Sequence, residues 1–195
     1  MNDQKATIKE LREAAEEARG RAIYKKKAWQ AAEAKWEYAL EWQGTGRTTA
    51  NADDEAAIAQ EAHKAAQKAA EEAEAKEQAY EEARIREAIK AAAGVKVRDW
   101  LLARARSAES REEAEGLDPE VTLGSILAEA RTKRGAKSAA ASEDDIDQAV
   151  AELCDREYAA ATGDDLDEWT HNEIRDAASE LQEEAAEHGV LNEIA

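Results

Sequence analysis

Apolar positions recur along this chain at the three-and-four spacing of amphipathic helices, and almost nowhere do they alternate as strands require. The first run carries Ile8, Leu11, Ala15, Ala18, Ala22, Trp29, Ala32, Trp36 and Ala39 on one stripe, broken by Lys25. Thr7-x-x-Glu10 has the form of a capping box at its start, with Asn2 or Asp3 as earlier candidates. Gly44 to Asn51 reads as a polar loop, after which Asn51 or Asp53 can cap a second helix. That helix carries Ile58, Ala62, Ala65, Ala66, Ala69, Ala73, Tyr80, Ala83 and Ile89, with Gly94 just beyond its end. Two long helices joined by a short loop predict an antiparallel hairpin over residues 1–94. Folding about Arg47 sets positions whose numbers sum to about 94 opposite each other. Trp36 then faces Ile58, Trp29 faces Ala65 or Ala66, Ala15 faces Tyr80 or a neighbour, and Leu11 faces Ala83. Large residues mostly meet small ones, which favours a hairpin over a parallel dimer.

Beyond the hairpin the pattern shortens. Residues 95–115 place Val97, Trp100, Leu101, Ala105 and Ala108 on one face and Lys96, Arg98, Arg104, Arg106 and Arg111 on the other. Asp118-Pro119-Glu120 reads as a helix start, with Leu123, Ile126, Leu127 and Ala130 following as an apolar face. Ala136 to Ser142 reads as a small-residue linker. Ser142-x-x-Asp145 then caps a run with Ile146, Ala149, Val150, Leu153, Cys154 and Tyr158. Thr162-Gly163 breaks it, and Asp164 or Asp165 can cap a last run with Leu166, Trp169, Ile174, Ala177, Ala178 and Leu181. Gly189 ends that run before an apolar coda, Val190 to Ile194. The expected fold is all-α: a long Ala-rich, coiled-coil-like hairpin (1–94), a near-neutral helical connector (95–138) and an acidic helical region (139–195).

Composition sharpens this. Of 195 residues 48 are Ala, Phe is absent, and Leu, Ile and Val total only 25. Such a chain cannot fill a large sandwich, barrel or doubly wound core. With a net charge of −18 it also meets a compositional criterion for disorder. The agreement of caps, breaks and stripes argues for helices instead. The charge is not spread evenly. Residues 139–195 hold 18 Asp and Glu against 2 Lys and Arg, a net of −16. No window approaches the ~20 apolar residues of a membrane span. The first ten residues lack the apolar run of a signal peptide, and the single cysteine cannot form an internal disulfide. A soluble cytoplasmic protein in a reducing compartment, without membrane contact, is the expectation.

Sites of chemistry are sparse. Gly44-Thr45-Gly46-Arg47-Thr48-Thr49 lacks the lysine and the spacing of a phosphate-binding loop. Glu168-x-x-His171 is half of a di-iron helix motif, and the chain has no second half. Asp144-Asp145-Ile146-Asp147 and Asp164-Asp165-Leu166-Asp167-Glu168 hold apolar residues where a calcium loop needs ligands. They fit helix caps better. Cys154 lies on an apolar stripe and reads as a buried thiol. No catalytic residue, metal ligand or cofactor is expected, and the chain is not read as an enzyme.

Two surfaces remain. Residues 164–188 carry ten acids and one Arg over ~37 Å of helix, one carboxylate per ~3.7 Å against one phosphate per 3.4 Å of a DNA strand. The expected contact residues are Asp165, Glu168, Asp176, Glu180, Glu183 and Glu187, with Asp144 and Asp145. Such a face suits a partner protein with a basic surface, for example a nucleic-acid-handling enzyme, and disfavours direct nucleic-acid binding. Charge imitation of this kind is how small acidic inhibitors of restriction or CRISPR machinery act as a class. The second surface is aromatic: Trp29, Trp36 and Trp42, either core or contact residues. The alternative function is a coiled-coil scaffold, viral or otherwise, forming homo-oligomers through the hairpin.

Overall fold

A computed structural model describes residues 7–43, 50–133 and 140–194. Its elements are α1 (Ile8–Gln43), α2 (Ala50–Ala93), α3 (Val97–Arg104), α4 (Ala108–Gly116), α5 (Leu123–Lys133) and α6 (Glu143–Val150). A π-helical turn (Ala151–Asp155) leads into α7 (Arg156–Thr162), and α8 (Glu168–Glu187) and α9 (Leu191–Ile194) complete the order. No strand occurs among the described residues; one antiparallel bridge pairs Lys96 with Thr122. The chain divides into two units, Met1–Arg84 and Ile85–Ala195.

In the first unit α1 packs against α2 as a hairpin. The capping box is present: Glu10 N–H donates to Thr7 Oγ1, and Thr7 N–H donates to Glu10 Oε2 at 2.7 Å. That second bond holds the Glu10 carboxyl below its usual range. The pairing register agrees with a sum near 94: Trp29 meets His63, Arg21 reaches Glu72 at 3.4 Å, and Trp29 and Ala66 border one groove. Trp36 lines one groove with Ala56 and Ala59, whereas Ile58 is 53% exposed and is not part of that groove. One residue along the helix, Ala59 takes the buried place. Neither Asn51 nor Asp53 is the cap of α2, because the helix already includes Ala50. The loop 44–49 lies outside the described residues. Among those described, the buried residues of this unit are Ala18, Ala32, Ala59 and Ala66. Small side chains let the helices approach closely, and they bury little apolar area in doing so.

The second unit has a conventional core. Val97, Ile126, Leu127, Ala130, Ile146, Val150, Ile174, Ala178, Ala185 and Val190 form one cluster with Ile89 and Ala93. Segments read from the sequence as connector and acidic region therefore share an interior. α5 sits at its centre, against α6, α8 and α9. Gly124 permits this: a Cβ there would lie 2.7 Å from the Ile194 carbonyl and 3.0 Å from that of Ala93.

Several helix boundaries differ from expectation. The segment 95–115 splits, because Ser107 accepts from Ser110 N–H and caps a separate α4. Asp118 does not cap a helix. Its carboxylate accepts from Glu120 N–H in a turn, and α5 starts later at a reciprocal pair, Thr122 and Ser125. Proline at 119 favours turn and helix start alike, so the sequence could not separate them. The expected Ser142–Asp145 capping box opens α6. The Gly163 break stands, with φ +82°, and Gly189 follows α8 with φ +66°. The cap of α8 is Asp167, accepting from Trp169 N–H at 3.1 Å, rather than Asp164 or Asp165.

Candidate functional site

Helix α8 is set by its buried stripe. Thr170, Ile174, Ala178, Leu181, Gln182 and Ala185 face the core. At 100° per residue, the opposite side must carry residues near 169, 176, 180, 183 and 187. Those positions are Trp169, Asp176, Glu180, Glu183 and Glu187, all exposed. They form one ridge ~27 Å long. Trp169 is thus not on the apolar stripe where the sequence reading placed it. It is 56% exposed, and Thr170 takes the inward place.

Of the expected acidic contacts, the ridge unites Asp176, Glu180, Glu183 and Glu187. Glu180, Glu183 and Glu187 have no ion-pair partner among the described residues. Asp176 accepts from the Nε and Nη2 of neighbouring Arg175, at 3.1 and 2.8 Å. Glu168 opens α8 and is exposed, but it lies about 100° round from the ridge. Asp165 is exposed in the segment before the helix, and Asp144 is exposed in the first turn of α6. Asp145 differs: its carboxylate accepts from the Ser142 backbone and hydroxyl, so the capping box occupies it. On the ridge the carboxylates rise ~5.5 Å apiece, sparser than the phosphates of one DNA strand.

Trp29 and Trp36 are half-buried in the hairpin, and Trp29 stacks obliquely on His63 with ring centroids 4.5 Å apart. The Trp42 side chain lies outside the described residues. Core and contact are therefore not exclusive for Trp29 and Trp36, each of which is only partly covered.

Three polar arrangements went unseen in the sequence. In the first, His171 Nδ1 lies 2.8 Å from Asp155 Oδ2 and Nε2 lies 3.0 Å from Asp147 Oδ1. A ring protonated on both nitrogens donates to both carboxylates at once; a neutral ring donates to one. The π-helical turn makes this geometry. It inserts a residue, so Asp155, eight places after Asp147, takes the place the seventh would hold in an uninterrupted helix. Both carboxylates then share a face two turns apart, with the imidazole between them. They approach opposite edges of the ring and do not converge on a point. Among the described residues no group of three such side chains is arranged to hold a metal ion.

In the second, the buried Gln182 amide donates to Ala141 O at 3.0 Å and accepts from Ala141 N–H at 2.7 Å, satisfying a backbone that enters α6 from outside any helix. In the third, Arg131, 6% exposed, donates to Leu191 O at 2.9 Å and to Asn192 Oδ1.

Cys154 is buried, as expected, and desolvation with help from Asp155, Glu157 and Asp118 pushes its thiol up to about 12. It is protonated near neutral pH and unsuited to nucleophilic attack. A cleft of about 630 Å³ opens beside Trp169, bordered by Arg104, Arg106, Ser110 and Glu173. Arg104 lies 4.7 Å over the Trp100 ring and 3.8 Å from Glu173.

No family model, curated protein or solved structure matches the chain. Among the described residues no helix is long and apolar enough to cross a membrane. Any functional reading rests on the surfaces themselves.

Proposed function

We propose that this chain is a non-enzymatic binding module whose acidic helices engage a basic, nucleic-acid-binding surface of a partner protein. The observation that carries the reading is the α8 ridge. Its carboxylates stand in one exposed line, and Glu180, Glu183 and Glu187 lack cation partners among the described residues. Burial explains the inward stripe and capping explains Asp145 and Asp167. Neither explains the ridge, which leaves like charges adjacent at three-and-four spacing where they weaken a helix. An exposed tryptophan at the head of the line suits a contact surface, because tryptophan is enriched at binding hot spots. The sparser ridge spacing supports charge complementarity to a basic groove rather than a phosphate-by-phosphate copy of a strand.

The test is affinity capture from a cell lysate at two salt concentrations. The wild-type chain is compared with a Glu180→Lys, Glu183→Lys, Glu187→Lys variant. The expected outcome is a nucleic-acid-handling protein captured by the wild type at low salt, reduced at high salt and lost with the variant. Capture that survives the charge reversal, or that ignores salt, overturns the reading.

A further inference from the structure

The hairpin poses a different question. Its buried residues among those described are alanines, while Ile23, Leu40 and Ile58 stay 52, 43 and 53% exposed. On one face, two apolar grooves of about 250 and 260 Å³ flank the Trp29–His63 contact. What lines them is self-complementary about that contact. On α1, Lys26 borders one groove and Glu33 the other; Ala22 borders the first and Trp36 the second. On α2, Gln67 and Gln60 stand in the same relation about His63.

From this we infer that the hairpin face is a homodimer interface, with a second copy of this chain packed groove to groove in an antiparallel four-helix arrangement. The two-fold axis lies in the plane between the copies, over the Trp29–His63 contact and across the helices. Each residue of α1 then faces one about as far on the other side of Trp29, three residues against four for Lys26 and Glu33 and seven against seven for Ala22 and Trp36. Lys26 meets Glu33 of the second copy, and Glu33 meets its Lys26. Trp36 meets the small Ala22, as interdigitated packing requires. Each contact occurs twice, which is the signature of an isologous pairing.

Area and charge both favour a second copy as the occupant. The 36 residues of α1 make a face ~54 Å long. Two helices side by side are ~20 Å wide, giving ~1,000 Å² per chain, above the ~800 Å² per partner of a standard interface. The hairpin unit has a net charge of −4 against −14 for the second unit, so two hairpins approach with little repulsion. This inference is independent of the acidic ridge.

Sedimentation equilibrium on the full chain across ~1–100 µM tests it, with helicity monitored by circular dichroism. Wild type is expected to dimerise. Lys26→Glu alone and Glu33→Lys alone each set like charges opposite and should weaken the dimer about tenfold or more. The double variant Lys26→Glu, Glu33→Lys should restore it. Ala31→Glu, at an exposed position on the side of α1 away from the grooves, should leave it unchanged. A strict monomer throughout overturns the inference. So does a dimer that ignores both single reversals, or one that the double variant fails to rescue at unchanged helicity.

Discussion

The two units of this chain solve the same problem with opposite means. The hairpin keeps its helices together with alanines and leaves Ile23, Tyr24, Tyr38, Leu40 and Ile58 in solvent. The bundle buries most of its large aliphatics and covers the rest in part; among its described large apolar residues only Trp169 is exposed. Charge runs the other way. The hairpin is laced with exposed pairs such as Arg12–Glu16 and Lys76–Glu72, while the bundle has too few cations for its acids. One unit lacks apolar cover and the other lacks positive charge. Each deficiency marks a surface, and the two surfaces invite different partners.

The sharpest way to break this comparison is to damage the interiors. Leu127→Ala, at a fully buried position, should cost the bundle about 3 kcal/mol in urea unfolding. Among the described residues the hairpin offers no buried large side chain to truncate, because its buried side chains are already alanine. A loss under about 1 kcal/mol would mean that the bundle core is as loose as the hairpin.

Gly124→Ala comes next. The added methyl meets the Ile194 carbonyl at 2.7 Å, and a backbone neighbour cannot swing away, so a loss of about 2 kcal/mol is expected. His171→Ala should cost about 1–2 kcal/mol, because Asp147 and Asp155 lose their shared partner and are left facing each other. Added salt should recover part of that loss, since Asp147 is half-exposed. Salt-insensitive stability in the variant would make the imidazole a mere space-filler.

Cys154 gives the bundle a pH signature. Its thiol ionises near 9.0 when free and near 12 when folded, so the folded state loses relative stability as pH rises from 9 toward 12. Between neutral pH and pH 10 the wild type should lose about 1 kcal/mol relative to Cys154→Ala. A constant difference between the two proteins would place the thiol in contact with water.

The smallest effect has the opposite sign and belongs to the hairpin. A Cβ on Gly20 meets nothing within 4 Å. Gly20→Ala should therefore stabilise α1 by up to about 1 kcal/mol through backbone entropy alone. Thermal unfolding of the two glycine variants side by side distinguishes a unit short of packing from one already filled.

Much of this architecture was legible from local rules. Thr7–Glu10 and Ser142–Asp145 declared themselves as caps, Gly163 and Gly189 as breaks, and Ile146, Val150, Cys154 and Tyr158 as a buried stripe. What escaped was whatever depended on a distant partner. Asp118 and Thr122 are both respectable helix starts, and the bridge from Thr122 to Lys96 selects the later one. Trp169 sits one position from Thr170, and α8 turned its tryptophan outward while Thr170 found Glu113. The π-helical turn shifts register by a single residue, less than the tolerance of any three-and-four pattern, so the meeting of Asp147, His171 and Asp155 left no trace in spacing. Of the acidic ridge the sequence supplied the residues, and the core supplied the line.

The seating of residues 191–194 bears on the order in which this protein is made. Arg131 grips Leu191 and Asn192, Lys90 pairs with Glu193 at 2.7 Å, and Gly124 lies against Ile194. Three stretches of the bundle thus wait on a segment synthesised some 60 to 100 residues after them. On a ribosome the hairpin can zip as soon as α2 emerges, while the bundle stays unfinished, its acidic helices loose, until the segment around 191–194 clears the exit tunnel. A stalled or truncated product would then carry a finished, weakly charged hairpin followed by an open, highly charged remainder.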